Sequence, residues 1–274
     1  MIGSDSERSL SGGIILPNCI HIGGIVSTAF KNTNHLVEFA GLASSLPLDF
    51  YVKTLGISDI HASRVLTFPL GIQAKYKCAL FARTLRLNCL TTGYSKLWEE
   101  CYSDDYSKES WSLQDIRLSS YSSLSSHWSY LTPLRNYYER RLALVEIDVI
   151  SAMALGLSLE DLVKMYFIQF PILQQYENET FYDQKGNIVF TVNRGLGGVG
   201  LDRPRWEQIR GNLSEDGLTY AGTTETYTHT IDPAKSELYG GQQVTYYAPY
   251  TKCDRIADYR RAWAHFEKFF KDKN

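Results

Sequence analysis

A stripe of apolar residues that repeats with the period of an α-helix is the feature that most constrains the fold of this chain. The stripe covers residues 134–155 and follows Thr132-Pro133, which offers a helix N-cap and then proline at the first helical position. Gly156 ends this helix, and Ser158-Leu159-Glu160-Asp161 resembles the capping box that opens a second one. The second helix ends at Phe170-Pro171. The sequence therefore predicts a helical hairpin.

Weaker patterns before the hairpin predict a mixture of helix, strand and loop. A helix of small and apolar residues is expected over 34–46, where Pro47 interrupts it, and an irregular strand-and-loop region over 57–68. The spacing of apolar residues predicts one or two helices over 73–102. Residues 103–129 are rich in Ser, Asp and Tyr, which predicts a long loop or linker that buries little apolar surface.

Short strands and a final helix are predicted after the hairpin. Residues 180–192, with a turn at 183–187, have the pattern of a β-hairpin, and further strands are expected at 222–231 and 242–247. Residues 254–270 place their apolar side chains on one helical face. The predicted fold class is α+β, with a mixed first part, the helical hairpin, a small β-rich region and a C-terminal helix.

Composition and charge exclude several classes of protein. The 274 residues are 44% hydrophobic, enough for one or two ordinary cores, and the formal net charge of -2 provides no global field that attracts nucleic acid. Binding of a polyanion must then come from a local patch. No stretch approaches the roughly twenty apolar residues of a membrane-spanning helix, and the N-terminus does not have the pattern of a signal peptide. We expect a cytoplasmic protein that does not associate with a membrane.

Motifs for metals and cofactors are weak. The five cysteines are scattered, and the six histidines are not spaced as metal ligands, so no metal site is expected. Gly195-Leu196-Gly197-Gly198-Val199-Gly200 matches G-x-G-x-x-G, but Leu201-Asp202-Arg203-Pro204 breaks the helix that a dinucleotide fold requires next. We interpret the glycines as a turn with positive φ angles, against the alternative of a cofactor loop.

Two acidic residues in the apolar helix, Glu146 and Asp148, are candidates for paired acid/base carboxylates. Two residues apart on a helix, they point to different faces. The alternative interpretation is that one of them pairs with Arg135, Arg140 or Arg141 while the other is solvated.

Basic residues cluster in two places. Lys53, His61 and Arg64 lie in the first part, and a second group lies in a later loop beside Trp206. The second group consists of Arg194, Arg203, Arg205 and Arg210. Arginine next to loops and aromatic residues suits contact with phosphates and base edges, whereas the alternative is a solvated charged face.

Several segments, in order along nearly the whole chain, resemble the carboxy-terminal part of Eco57I-like, type IIG-like DNA adenine methyltransferases of restriction-modification and phage-defence systems. The segments are Ser6–Leu10, Ile14–Pro17, Ala40–Phe50, Arg83–Thr91, Tyr138–Arg141, Val145–Asp148, Gln169–Pro171, Gln174–Glu177, Phe181–Asp183, Gly197–Leu201, Ala248–Arg255 and Tyr259–Trp263. The resemblance implies a partial target-recognition-like region at 1–72, a helical segment and Ser-rich linker at 73–130, and a C-terminal extension at 131–274.

The same resemblance implies that the chemistry resides elsewhere. In that family, catalysis needs a domain that binds S-adenosylmethionine and an Asn-Pro-Pro-Tyr type motif that holds the flipped adenine. This sequence contains neither, so no catalytic residue and no cofactor site are carried over. Met1 would lie inside the recognition domain, which would make the chain a split-gene subunit, a truncated remnant or a fragment.

The first hypothesis is therefore a specificity component of an adenine-N6 methyltransferase that holds double-stranded DNA while a separate catalytic polypeptide methylates it. Lys53, His61 and Arg64 are expected to touch DNA, with Arg203 and Arg205 as phosphate contacts. A second hypothesis is a protein-interaction module that docks by its helical hairpin and final helix without touching DNA. A third is a nucleotide-binding enzyme that uses the glycines at 195–200. Steep salt dependence of binding distinguishes the first from the second.

Overall fold

A computed structural model of the chain describes residues 6–21, 24–56, 59–210, 219–220, 226–234 and 237–271. These residues contain far more helix than strand, and the mixture confirms the predicted α+β class. No helix among them is long and apolar enough to cross a membrane. The helices are α1 (Thr33–Ala43), α2 (Leu46–Thr54), α3 (Ala62–Val65), α4 (Ala74–Asn88), α5 (Ser95–Cys101), α6 (Tyr137–Ala154), α7 (Leu159–Gln169), α8 (Pro171–Asn178), α9 (Arg203–Ile209) and α10 (Arg255–Lys271).

The long helix α6 lies at the centre of the helical body and packs against α1, α2, α4, α7 and α10. Its N-terminus is a capping box. The Asn136 side chain accepts a hydrogen bond from Glu139 N at 2.8 Å, and the Glu139 carboxylate accepts one from Asn136 N at 3.1 Å. The predicted start after Thr132-Pro133 is wrong, because this later capping box satisfies the first N–H groups of the helix.

Helix α7 completes the predicted helical hairpin. Gly156 takes a φ of +75° directly after α6, and Ser158 caps α7 by accepting a hydrogen bond from Asp161 N at 3.1 Å. The hairpin and its second capping box are therefore confirmed. Pro171 ends α7, as predicted, and also begins α8, since a proline in the first turn of a helix sacrifices no hydrogen bond.

Pro47 has the same role earlier in the chain. The helix predicted over 34–46 stops at Ala43, and Ser45 caps α2, whose first turn contains Pro47. The region predicted as irregular strand and loop contains the one-turn helix α3, and its residues 57–58 lie outside the described part.

Residues 103–129 form the predicted long loop, but the loop is packed against the helical body. Tyr121 is 2% exposed, and the guanidinium groups of Arg83 and Arg86 lie 5.1 and 4.7 Å from the centre of its ring. Arg83 also donates a hydrogen bond to Ser110 O at 2.8 Å. The expectation that this segment buries little is wrong, because two arginines of α4 supply the donors and the cation–π contacts that make its burial favourable.

Two small antiparallel sheets follow the hairpin. The first has the strand order β2-β1-β6-β3, and the second pairs β4 with β5. The strands are β1 (Phe181–Tyr182), β2 (Ile188–Phe190), β3 (Thr219–Tyr220), β4 (Thr226–Thr230), β5 (Gln243–Tyr247) and β6 (Tyr250–Thr251). They confirm the predicted β-hairpin and both predicted strand regions, although residues 222–225 lie outside the described part. Trp206 is 1% exposed and packs on Phe181 and Phe190 in a separate small core.

One carboxylate of α6, that of Asp148, joins several parts of the helical body. Its Oδ1 accepts hydrogen bonds from Leu46 N at 2.6 Å and from Arg8 Nη2 at 3.2 Å. Its Oδ2 accepts hydrogen bonds from Arg255 Nη1 at 2.8 Å and from the Tyr259 hydroxyl at 2.7 Å. Asp148 is fully buried, so these four hydrogen bonds are shielded from bulk water. Through them, one carboxylate connects α6 with the N-terminal segment, with the start of α2 and with α10.

Replacing Asp148 with asparagine should strongly destabilise the chain. The amide keeps the shape but leaves Arg8 and Arg255 short of a negative charge, and breaking a buried ion pair costs about 3–5 kcal/mol. Urea unfolding followed by circular dichroism measures the loss. Glu160→Gln is the matched control, because Glu160 and Lys164 form an exposed pair at 2.7 Å that is worth about 0–1 kcal/mol. A loss in Asp148→Asn that does not exceed the loss in this control would contradict the assignment.

Glu177 ties α8 to α6 and α10 in the same way. Arg141 Nε lies 2.9 Å from its Oε1, and Arg255 Nε lies 2.9 Å from its Oε2. Burial alone would raise the pKa of the Glu177 carboxyl, but these two guanidinium groups outweigh burial and lower the pKa to about 2.

The depressed pKa of Glu177 predicts a loss of stability in acid. The folded value lies below the ordinary value of 4.5, so the contribution of Glu177 is complete above that pH and is lost as the pH falls towards 2. Across this interval, the free energy of unfolding of the wild type should fall by about 3 kcal/mol more than that of Glu177→Gln. Urea titrations at several pH values measure the difference, and parallel curves for the two proteins would contradict it.

Candidate nucleic-acid interface

Glu146 and Asp148 do not form an accessible acid/base pair. Both side chains are fully buried. Glu146 Oε2 accepts a hydrogen bond from Arg83 Nε at 2.6 Å, and Glu146 Oε1 accepts one from Ser112 N at 2.6 Å. The prediction that one acid pairs with a neighbouring arginine while the other is solvated is wrong, because the partners come from distant elements that pack on α6. Both carboxylates are therefore structural.

The glycine-rich segment 195–200 adopts the predicted turn. Gly198 and Gly200 have φ angles of +83° and +74°, and the helix that follows, α9, has only 7 residues. A Cβ atom on Gly200 would lie 2.7 Å from Val189 O, the same carbonyl that accepts a hydrogen bond from Leu201 N at 2.7 Å. The glycine at position 200 therefore allows the turn to pass close to the backbone of β2.

Gly200→Ala should therefore destabilise the fold by about 1–3 kcal/mol, through both the positive φ and the clash with Val189. Gly197→Ala is the matched control, since Gly197 has a φ of -53° and nothing lies within 4 Å of its added Cβ. Thermal unfolding of the two variants measures the contrast. Equal stability of the two variants would show that the turn does not require Gly200.

The first predicted basic group lies on α2 and α3. Lys53 is half-buried near the end of α2, with its Nζ 4.9 Å from the centre of the Phe170 ring. His61 immediately precedes α3, Arg64 lies within α3, and both side chains are exposed. Within the described residues, none of these three cations forms a salt bridge.

The second predicted group lies on and around α9. Arg203 stacks on Phe190, with its guanidinium 5.1 Å from the ring centre, and its Nη2 lies 3.2 Å from the Glu179 carboxylate. Arg205 is half-buried and has no salt bridge to any residue that the structure describes. Burial lowers the pKa of the His229 imidazole on β4, and the charge of Arg205 lowers it further.

The two remaining arginines of the later group differ in their environment. Arg210 pairs with Glu207 at 2.9 Å, whereas Arg194 is exposed in the turn before the glycines. Arg203 and Arg205 share one short helix. No hydrogen bond, salt bridge or ring contact between described side chains joins them to the group on α2 and α3.

Two lysines that the sequence interpretation did not single out lie against aromatic rings of the sheets. Lys185 Nζ lies 3.8 Å from the centre of the Tyr247 ring, and Lys252 Nζ lies 5.7 Å from that of Phe181. Lys185 belongs to the predicted hairpin turn, so its exposure was foreseeable, but its stacking on β5 requires the fold.

A cleft of about 510 Å³ lies beside the packed loop. Among its lining residues, Glu109 pairs with Arg83 at 3.0 Å and Asp115 pairs with Arg117 at 2.6 Å. The cleft therefore presents carboxylates that are already neutralised. No group of three or more potential metal ligands occurs among the residues that the structure describes.

The comparisons with known proteins identify no relative. No family model, no curated protein and no solved structure matches the chain.

Proposed function

We propose that this chain is the target-recognition part of a site-specific adenine-N6 DNA methyltransferase in a restriction-modification or phage-defence system, acting in the cytoplasm. In this proposal the chain holds double-stranded DNA, and a separate catalytic polypeptide binds S-adenosylmethionine and methylates the flipped adenine. Support comes from the ordered sequence resemblance over nearly the whole chain and from the distribution of positive charge.

One observation carries the DNA-binding part of the proposal: some arginines are used up by internal ion pairs, whereas two that the sequence assigns to DNA contact are not. Arg83 and Arg255 are buried and saturated by carboxylates of the chain itself. Arg64 and Arg205, which the sequence assigns to DNA contact, have no carboxylate partner among the described residues. Cations that a near-neutral chain leaves unpaired at its surface are available to phosphates.

The predicted contacts should not contribute equally. Arg205 has no competing salt bridge, whereas Arg203 must leave Glu179 before it can bind a phosphate. Arg64 and His61 are exposed, while Lys53 lies partly against Phe170. We therefore assign the main phosphate contacts to Arg64 and Arg205, with supporting roles for Lys53, His61 and Arg203.

A specific observation favours the second candidate function, a protein-interaction module. Phe167 and Ile168 of α7 are each 67% exposed, although they belong to the helical hairpin and adjoin each other. Exposed apolar residues that lie together are typical of a protein-binding surface. The same surface would also serve a recognition subunit that docks onto a catalytic polypeptide. If the chain is a truncated remnant, it would retain this apolar surface but have no partner to bind there.

Salt dependence tests the proposal. Binding of the full chain to duplexes selected from a randomised pool should weaken as salt rises, and the slope of log K against log salt should fall by about 1 in each of Arg64→Ala and Arg205→Ala. Fluorescence anisotropy at several salt concentrations measures the slope. Lys164→Ala is the control, because Lys164 lies on α7 and pairs with Glu160. Unchanged slopes in both arginine variants would contradict the assigned contacts.

A different result would favour the interaction module. The chain would then bind no duplex, and its association with the catalytic polypeptide would be insensitive to salt but lost in Phe167→Ser, because apolar docking depends on buried area rather than on charge.

A further inference from the structure

The exposed side of the C-terminal helix α10 carries charge of almost one sign. Its exposed residues recur at the spacing of a single helical face. They are Arg260, Arg261, Ala264, Glu267, Lys268 and Lys271, and we call this set the outer face of α10. Four of the six are cations and one is an acid. By contrast, the exposed residues of the neighbouring helix α7 include acids, a lysine and apolar side chains.

The opposite side of α10 holds the helix on the body of the protein. Tyr259, Phe266 and Phe270 are at most 4% exposed and belong to the main hydrophobic core. Helix α10 packs against α6 and α7. Because these aromatic residues are used inside, the part of α10 that remains for a partner is its charged outer face.

Two cations of the outer face have no acidic partner. Arg260 and Lys268 are exposed, and no carboxylate of a described residue pairs with either of them. The acids of α6 are buried. On α7, Glu160 pairs with Lys164 at 2.7 Å, and Asp161 caps its own helix. The two helices that pack against α10 therefore leave Arg260 and Lys268 available to a negatively charged partner.

The other two cations of the outer face are held only in part. Arg261 lies 2.7 Å from Asp258, but the same carboxylate also binds the buried Arg141 at 2.5 Å. Lys271 lies 3.4 Å from Glu267 at the surface, where such a pair is weak. Glu267 is the one acid of the outer face, so the net charge of this face is positive.

The helix dipole accounts for only part of this pattern. Cations in the last turn of a helix interact favourably with its negative end, which explains Lys268 and Lys271. This effect falls off within one turn. It therefore does not explain the exposed Arg260, which lies about three turns before Lys271. A positive face that continues along the helix indicates a partner with extended negative charge.

A further cation lies near the C-terminal end of α10. The rings of Tyr76 and Phe270 meet edge to face at 4.8 Å between their centres, which places the start of α4 next to this end. Lys75 Nζ lies 5.2 Å from the centre of the Tyr76 ring. No described carboxylate forms a salt bridge with Lys75. This lysine therefore adds positive charge beside the last turn of α10.

The backbone of duplex DNA complements such a surface. Arg260 and Lys271 are about 16 Å apart along the helix axis, at a rise of about 1.5 Å per residue. B-form DNA carries one negative charge per about 1.7 Å of its axis, so a row of cations of this length meets phosphates throughout. An anionic membrane fits less well, because a helix that binds one inserts its apolar face, and the apolar face of α10 is packed inside.

We propose that the outer face of α10 lies along the phosphate backbone of duplex DNA, with Arg260 and Lys268 as the main contacts. This inference rests on the proposed DNA-binding function and adds to it a contact surface that the sequence interpretation did not assign. The contact strengthens binding to every duplex and carries no sequence information. Lys271 takes part only when it is released from Glu267.

The test measures binding of the full chain to two duplexes, one selected from a randomised pool and one scrambled, by fluorescence anisotropy at several salt concentrations. The double variant Arg260→Ala/Lys268→Ala should weaken binding to both duplexes by the same factor and reduce the slope of log K against log salt by about 2. The matched control is Lys96→Ala/Lys164→Ala, which removes the same charge from exposed positions on α5 and α7. This control should keep the wild-type slope.

Glu267→Gln should give a result of the opposite sign. The substitution removes the one acid of the outer face and frees Lys271, so binding to both duplexes should tighten and the salt slope should rise by about 1. Damage to the fold does not produce tighter binding, so this variant separates an effect of charge from an effect of structure. Unchanged or weaker binding would contradict the proposal.

The outcomes distinguish this inference from the proposed function. If the wild-type chain binds neither duplex, both fail. If the slope falls in Arg64→Ala and Arg205→Ala but not in the double variant, only the inference about α10 is overturned. If the slope falls in the double variant alone, α10 is a contact and the assignment of Arg64 and Arg205 is wrong. Loss of binding to anionic lipid vesicles in the double variant, with both duplexes bound as before, would assign this face to a membrane surface and overturn the inference.

Discussion

The fold depends most on the buried carboxylate of Asp148. It accepts hydrogen bonds from the N-terminal segment through Arg8, from the start of α2 through Leu46 N, and from α10 through Arg255 and Tyr259. An isolated buried charge is very unfavourable, so these donors and the carboxylate are stable only together. Segments from opposite ends of the sequence are thereby fixed to the central helix α6.

The same principle explains the positions of several arginines. Three of them form ion pairs with internal carboxylates and thereby hold the packed loop, α8 and α10 in place: Arg83, Arg141 and Arg255. Arg64 and Arg205 have no such partners among the described residues. A chain with nearly balanced charge can therefore still present unpaired cations, because some of its acids, such as Glu146 and Asp148, are paired inside.

Local signals in the sequence were sufficient for much of the fold. The hairpin of α6 and α7 follows from apolar periodicity and the Ser158 capping box, and the β-hairpin at 181–190 follows from its turn. The start of α6 was placed too early because two capping signals lie close together, and the one at Asn136 satisfies more of the helix N-terminus. Which of two neighbouring capping signals starts the helix depends on tertiary packing, and local sequence patterns do not show that packing.

The candidate site was less predictable, for a related reason. The partner of Glu146 is Arg83, 63 residues away, and Asp148 bonds to Arg255, 107 residues away. Spacing rules for one helix reach only three or four residues. The basic residues were identifiable by type. However, the ion pair of Arg203 with Glu179 and the contact of Lys185 with the Tyr247 ring of β5 depend on the fold.

Hydrogen exchange of the full chain, with and without a duplex selected from a randomised pool, tests whether the two basic groups bind DNA, because it maps the covered surface without substitutions. We expect slower exchange in α3 and α9 when DNA is bound, and unchanged exchange in the buried helix α6. Slower exchange confined to α7, or no change anywhere at a DNA concentration that saturates binding, would contradict the assignment of Arg64 and Arg205 to DNA contact.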